Sequence, residues 1–487
     1  MGLIERLGKR FRAEFISRIV TVIAGGALLV ILARLLDPDN YGLLFLAISI
    51  LEVTKYISRL GIGSSAARYI AEYKETNPGQ LPHILRFSFL LNIISIIVVC
   101  FILFSTHEKI AILIGESDLI PLLLIGILFV AFATILRYVR KTLQGFESIE
   151  ASAVLYSTNS IIRFLLAVGL VMLGYGAIGA LIGYIVAFAV TSLVGLMYLY
   201  IHHYRNTESE CREPNLRRRI AEYTIPLTAT DTATVIDNRF DILLVGYFLG
   251  PLAVAYYTIG KQIVTFLEAP MSALGFTLSP SFEVQKEKGN VEKAARLYEQ
   301  ALTHSLLLYI PAAAGLILVA EPMLEIVFGE TYTGAAPVLQ VLAIYAVLQA
   351  VTKLTSDSLN FLGRARSRAI AKGITAFANV IMNILLIPLI GVVGAAVATV
   401  ISYSFYTLAN VYIMQLEFDI RIDWLLHQFM IIIIITVAMS VPVYLTVSYI
   451  SGFVSLFLVV IIGIVMWLVL VIGSGMVDLR RAVSILK

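Results

Sequence analysis

Long apolar runs recur along this chain, and that feature decides which folds are open to it. Runs able to supply the roughly 20 residues that a helix needs to cross a hydrocarbon core centre near residues 25, 51, 94, 128, 162 and 188. A second set centres near 235, 262, 312, 346, 378 and 402, and two more lie near 437 and 464. In lipid each backbone N–H and C=O has to be satisfied within its own segment, so each run predicts a helix. The expected fold is therefore an all-α polytopic membrane protein with fourteen transmembrane helices. Composition agrees: 59% of the residues are hydrophobic and 14% charged, against about 25% charged in a soluble domain. The run from about Phe15 to Leu36 reads as the first helix. It is too long for a signal peptide, holds Arg18 and lacks a small-residue cleavage site.

Basic residues orient the spans. With a cytoplasmic N-terminus the inner segments hold Arg6, Lys9, Arg10 and Arg12, then Arg137, Arg140 and Lys141, then Arg205, Arg212, Arg217, Arg218 and Arg219. Lys286, Lys288, Lys293 and Arg296 follow, and Arg364, Arg366, Arg368 and Lys372 after them. The outer connections, such as "DPDN" at 37–40 and "GYG" at 174–176, are nearly free of Lys and Arg, with Lys109 the clear exception. This is the positive-inside asymmetry, and it predicts a multi-pass protein of the cytoplasmic membrane with both termini cytoplasmic. The inner stretch 281–300 reads as an amphipathic helix on the membrane surface. Cys100 and Cys211 lie far apart and imply no disulfide framework or metal site.

The chain also repeats itself. "LGYGAIGALIG" (173–183) resembles "LIGVVGAAVAT" (389–399) at an offset of 215, and Pro38 meets Pro251 at 213. "LQGFESIEAS" (143–152) falls in the same relative place as "NFLGRARSRA" (360–369). The offset spans six helices, an even number, so the copies share an orientation, as in transporters built from parallel repeats. The organisation expected is two pseudo-symmetric six-helix bundles (1–204 and 221–416) joined by a basic linker (205–220), with two added helices (424–476) and a cytoplasmic tail (477–487). Gly174, Gly176 and Gly179 form a G-x-G-x-x-G string, but no strand precedes it, so it predicts a tight turn and close helix packing instead of a nucleotide site.

Charges inside spans are costly and face the bundle interior or a wet cavity. On span one Glu14, Arg18, Thr21 and Gly25 share a helical face, on span two Glu52, Lys55 and Arg59, and on span eight Lys261, Thr265 and Glu268. On span seven Thr224, Thr228, Asp231 and Asn238 make a polar stripe; Asp237 and Asp241 share an edge, and Arg239 points elsewhere. At offset 213 Arg18 lands on Asp231 and Lys55 on Glu268, so the polar faces recur at matching places in both halves. Arg18, Glu52, Lys55, Asp231, Arg239 and Lys261 are the candidate cavity residues, and Asp237, Asp241 and Glu268 the candidates for a gate or a coupling-ion site. Glu14 and Arg59, near the inner surface, read as snorkelling side chains, and Arg163 stands isolated deep in span five.

The span order, the repeat, "LQGFESIEAS" and the span-seven run "DILLVGYFLGPLAVAYY" (241–257) together resemble the polysaccharide-transporter branch of the multidrug/oligosaccharidyl-lipid/polysaccharide flippase superfamily. The pattern Asp, apolar, Gly-x-Phe-x-Gly, Tyr falls on Asp241, Gly246, Phe248, Gly250 and Tyr256, with Ala255 where the family often has Gly. The resemblance implies a cavity lined by helices one, two, seven and eight. It also implies a polyprenyl-linked oligosaccharide as substrate, flipped from the cytoplasmic to the outer leaflet, with Arg18, Lys55 and Lys261 on its pyrophosphate. No cofactor is implied, and Na+, H+ or the membrane potential alone could drive the cycle. The partners it implies are the lipid-linked glycan, membrane lipids and the glycosyltransferases or polymerase of the same pathway, with no nucleic acid. A cation-coupled drug or metabolite exporter of the same superfamily is the rival, since the stripes hold both signs of charge. A membrane-embedded glycosyltransferase would need large outer loops, and most here are a few residues long.

Overall fold

A computed structural model describes the backbone of residues 3–476 apart from 206, 209, 212, 268–270, 272–280, 283 and 286, with side chains from Glu14 onward apart from those of 225–238. Its helices are α1 (Leu3–Leu35), α2 (Pro38–Arg59), α3 (Ile62–Thr76), α4 (Leu81–Ile114), α5 (Leu119–Gly145), α6 (Ile149–Leu170), α7 (Gly176–Leu199), α8 (Leu216–Leu249) and α9 (Pro251–Leu267). Then follow α10 (Val291–Phe328), α11 (Ala336–Phe361), α12 (Ala365–Ile390), α13 (Val392–Glu417), α14 (Ile422–Val447) and α15 (Phe453–Gly473). Among the described residues 11 segments are long and apolar enough to cross a membrane. One of them, Ile149–Tyr204, holds both α6 and α7.

The chain divides into two compact units, Met1–Ala255 and Tyr256–Lys487. In the first, α1 packs on α6, α6 on α7, α7 on α5, and α5 on α2 and α4. The short helix α3, which the hydropathy pattern does not announce, buries Ile62, Ala66, Tyr69, Ile70 and Tyr73. That spacing places them on one face, and they join the ends of α4, α5 and α8 in a single apolar cluster. In the second unit α10 packs on α11 and α14, α13 on α11 and α12, and α15 on α14. Residues 291–300, the second half of the stretch 281–300 read as an amphipathic helix, form the first turns of α10. They bury Ala294, Ala295 and Tyr298 in the apolar cluster of the second unit.

Local geometry repeats at offsets within a few residues of those read in the sequence. Both α2 and α9 open on a proline, Pro38 and Pro251, where the missing N–H costs nothing because a first-turn donor has no helical partner. At the α5–α6 turn Phe146 N–H donates to Thr142, Glu147 to Gln144 and Ser148 to Leu143. At α11–α12, 216 residues on, Leu362 donates to Ser358, Gly363 to Asn360 and Arg364 to Leu359. The pivots, Glu147 and Gly363, both have positive φ, 59° and 75°. The glycine string behaves likewise. Gly176 (φ 53°, ψ −144°) and Gly391 (φ 66°, ψ −150°) reverse the chain between paired helices. A Cβ on Gly394 would lie 2.3 Å from the Leu386 carbonyl oxygen, and one on Gly183 2.4 Å from the Ala167 nitrogen. Only a residue without a side chain permits those approaches.

Candidate functional site

Within the first unit three helices turn stripes of the same spacing toward one cavity of about 270 Å³. From α2 come Glu52, Lys55, Tyr56 and Arg59, from α5 Ala133, Leu136, Arg137 and Arg140, and from α6 Tyr156, Asn159, Ser160 and Arg163. Each set runs i, i+3, i+4, i+7, so four side chains per helix share a face. Thr21 of α1 and Phe188 of α7 complete the lining.

Among the described residues five cations thus face one carboxylate, and that carboxylate is already engaged. Lys55 Nζ donates to Glu52 Oε1, and the pair is largely buried, at 7% and 15% side-chain exposure. The arginines rest on aromatic faces. The Arg59 guanidinium lies 4.1 Å from the Tyr56 ring centroid, Arg140 3.9 Å from Tyr156 and Arg163 5.0 Å from Tyr184. Stacking of this kind offsets part of the cost of desolvating a cation, and it leaves the in-plane N–H groups free to meet an acceptor. Among the described residues the Nε atoms of Arg59, Arg140 and Arg163 are buried without a hydrogen-bond partner. An unsatisfied buried donor is costly, and a cavity holding three such guanidiniums is complementary to an oxyanion. The neutral groups are occupied: Ser160 Oγ donates to Thr21 Oγ1 at 3.3 Å and Asn159 Nδ2 to Thr191 Oγ1 at 3.1 Å.

The residues singled out in the sequence are placed unevenly. Glu52 and Lys55 line this cavity, and Arg239 of α8 is half-buried within electrostatic reach of both. Asp241 is buried at 2% exposure. Arg18 does not line the cavity; its side chain is 73% exposed and pairs with Glu14 at 3.5 Å. Lys261 belongs to the second unit, 5.5 Å from the Tyr257 ring centroid. The side chains of Asp231 and Asp237, and all of Glu268, lie outside the described residues. Arg59, expected among the headgroups, and Arg137 and Arg140, expected in an inner loop, all reach the cavity. The signal that could have found them is their spacing: Arg59 continues the Glu52–Lys55 stripe, and Arg137 and Arg140 lie one turn apart on α5.

Among the described residues the chain is all-helical, with 11 segments long and apolar enough to cross a membrane, the architecture of a multi-pass membrane protein. Its fold is similar to that of the lipid II flippase MurJ in an inward closed conformation, with a TM-score of 0.77 at 17% identity, covering 95% of this chain and 97% of that one. The chain belongs to the family described as polysaccharide biosynthesis protein, which matches residues 31–337. It is 26% identical over 410 residues to the lipopolysaccharide biosynthesis protein WzxC of Escherichia coli, covering 83% of this chain and 78% of that one. It is 29% identical over 184 residues to the probable low-salt glycan biosynthesis flippase Agl15 of Haloferax volcanii, covering 38% of this chain. The match spans 39% of that relative's own length, and matches to two further relatives span 37% and 58% of theirs.

Proposed function

We propose that this protein is a flippase that carries a polyprenyl-phosphate- or pyrophosphate-linked oligosaccharide from the cytoplasmic to the outer leaflet by alternating access. The observation that carries the reading is the cavity of the first unit, where, among the described residues, five cations face one paired carboxylate and three arginine Nε atoms lack partners. A phosphate or pyrophosphate supplies the missing acceptors through charge-assisted hydrogen bonds. The polar cavity shields the glycan from hydrocarbon, and the lipid tail stays in the bilayer. An inside-negative potential assists an anion moving outward, by about 4–5 kcal/mol for two charges across 100 mV. The cycle then runs without an ion gradient, and Na+ or H+ coupling through Asp237, Asp241 or Glu268 would add to that drive.

The same reading takes the chain to cross the membrane fourteen times. The 11 apolar segments are supplemented by the split of Ile149–Tyr204 into α6 and α7 and by α8 and α9, whose polar residues serve the transport path. The repeat of turn geometry at offset 216 favours two six-helix bundles (1–204 and 221–416), a linker at 205–220, helices thirteen and fourteen within 424–476, and both termini in the cytoplasm with the tail 477–487. Glycosyltransferases supply the substrate on the inner side and a polymerase or transferase consumes it outside. The charge balance of the described lining disfavours an exporter of cationic drugs, whose substrate would meet repulsion from these five cations. Proteoliposomes distinguish the two. A dithionite-quenchable pyrophosphate-linked glycolipid should cross the bilayer only in the presence of the protein, and a cationic dye should not. Dye transport without glycolipid flipping would refute the proposal.

A further inference from the structure

A second depression in the first unit has the opposite chemistry. It is an open groove of about 760 Å³ between the start of α4 and the end of α7. Leu85, Phe89 and Ile93 of α4 face Leu196 and Leu199 of α7, with Tyr138 of α5 as the floor. The groove is built, not left over. Tyr138 is 2% exposed, its hydroxyl shares a hydrogen bond with Ser88 at 2.8 Å, and its ring lies 5.7 Å from that of Phe89. The rim opens outward, with Leu90 54% and Tyr200 55% exposed.

Polar groups gather at one end only. There the α7 backbone leaves α-helical geometry for a π-helical turn, Tyr200–Tyr204, of a kind that often marks functional sites. The turn stacks Tyr200 on Tyr204 at 5.6 Å and brings the Tyr204 hydroxyl to the exposed Arg86, whose Nη2 donates to it at 2.9 Å. Arg217 lies 5.5 Å from the ring of Phe87, the neighbour of Arg86 in the chain. An apolar trough that ends in two tyrosines and an arginine has the order of a membrane interface: hydrocarbon, aromatic belt, cation.

We propose that this groove is a binding site for an anionic phospholipid of the cytoplasmic leaflet, separate from the cavity that takes the transported glycan. One acyl chain lies along Phe89, Ile93 and Leu196, and the headgroup phosphate accepts from Arg86 between the two tyrosines. Basic pockets between helices on the cytoplasmic side recognise anionic headgroups in this way, each cation near the surface contributing about 1 kcal/mol. That corresponds to a preference of about five-fold over a zwitterionic lipid. The occupant tethers α4 to α7 at the end where α3, α5 and α8 also meet.

The test uses the full chain in nanodiscs with brominated lipids and reads the tryptophan quenching added over the parent, whose own tryptophans are Trp424 and Trp467. Leu90→Trp places a reporter on the groove rim. Phe101→Trp, at a site 68% exposed on the same helix, reports ordinary lipid contact about 16 Å further along. Brominated phosphatidylglycerol should quench the Leu90→Trp reporter about five times as effectively as brominated phosphatidylcholine, against a ratio of one for Phe101→Trp. Adding Arg86→Gln should bring the first ratio close to the second. Equal ratios at the two positions, or a Leu90→Trp ratio that survives Arg86→Gln, would overturn the proposal. Neither outcome bears on glycolipid flipping.

Discussion

Arg163 should be dispensable for folding and necessary for transport, and the two halves of that prediction come from different terms. Replacing it with Met keeps an unbranched side chain on α6 and removes the charge. The contact with the Tyr184 ring, 5.0 Å from the guanidinium, is lost, costing about 0.5–2 kcal/mol. Against that, the buried Nε that has no acceptor no longer has to be desolvated, which returns about 1–3 kcal/mol. The two nearly cancel, so the thermal midpoint of Arg163→Met should stay within a few degrees of the parent. Transport has no such compensation. A hydrogen bond between a guanidinium and a phosphate contributes about 1.5–3 kcal/mol, so the flipping rate at subsaturating substrate should fall by about 10- to 150-fold. The assay is dithionite quenching of a labelled pyrophosphate-linked glycolipid in proteoliposomes, paired with a melting curve of the same preparation. A large drop in midpoint with an undiminished flipping rate would show that Arg163 holds the bundle together instead of binding substrate.

Other perturbations test the scaffold. Gly183→Val should lower the midpoint, since overpacking costs about 1–3 kcal/mol and a Cβ there meets the Ala167 backbone at 2.4 Å; Gly169→Ala, with nothing within 4 Å of its new Cβ, should be neutral or stabilising. Glu299 is fully buried and accepts from the Arg421 backbone N–H at 2.8 Å and side chain at 2.7 Å, so Glu299→Ala should loosen the entry to α14 and speed proteolysis near residue 420. Asp37 caps α2 through the Asn40 N–H at 2.8 Å, and Asp37→Ala should cost about 1 kcal/mol. The cap hydrogen bonds from Asn40 hold the Asp37 carboxyl below its ordinary value of 3.8. Its stabilisation is therefore complete above that value and lost as pH falls through the lowered one, so the mutant's deficit in midpoint should be constant near neutrality and vanish only in strong acid.

What could be read in the sequence was what hydropathy and spacing record. The 11 long apolar segments were legible because lipid forces long runs, and the matching turns because Gly176 and Gly391, or Pro38 and Pro251, mark them. Lys55 and Glu52 were legible because charges three residues apart share a face within an apolar span. Arg137 and Arg140 were not, because counting basic residues for topology assigns cations at a helix end to the loop. Here α5 continues to Gly145, which carries them along its inner face. Arg18 shows the converse: a stripe on α1 predicts which residues share a face, not what that face meets, and Arg18 pairs with Glu14 outside the cavity. Helix α3 was missed because its fifteen residues are too few and too polar to register as a span.

If the basic cavity recognises the charge on the lipid carrier, transport depends on that charge. The direct measurement compares flipping of one glycan on three carriers, a pyrophosphate, a monophosphate and a neutral polyprenyl glycoside, in the same proteoliposomes. The rates should fall in that order, with the difference between the pyrophosphate and the neutral carrier collapsing when Arg59, Arg140 and Arg163 are all replaced by Gln. Equal rates for the charged and neutral carriers in the unmodified protein would contradict that dependence.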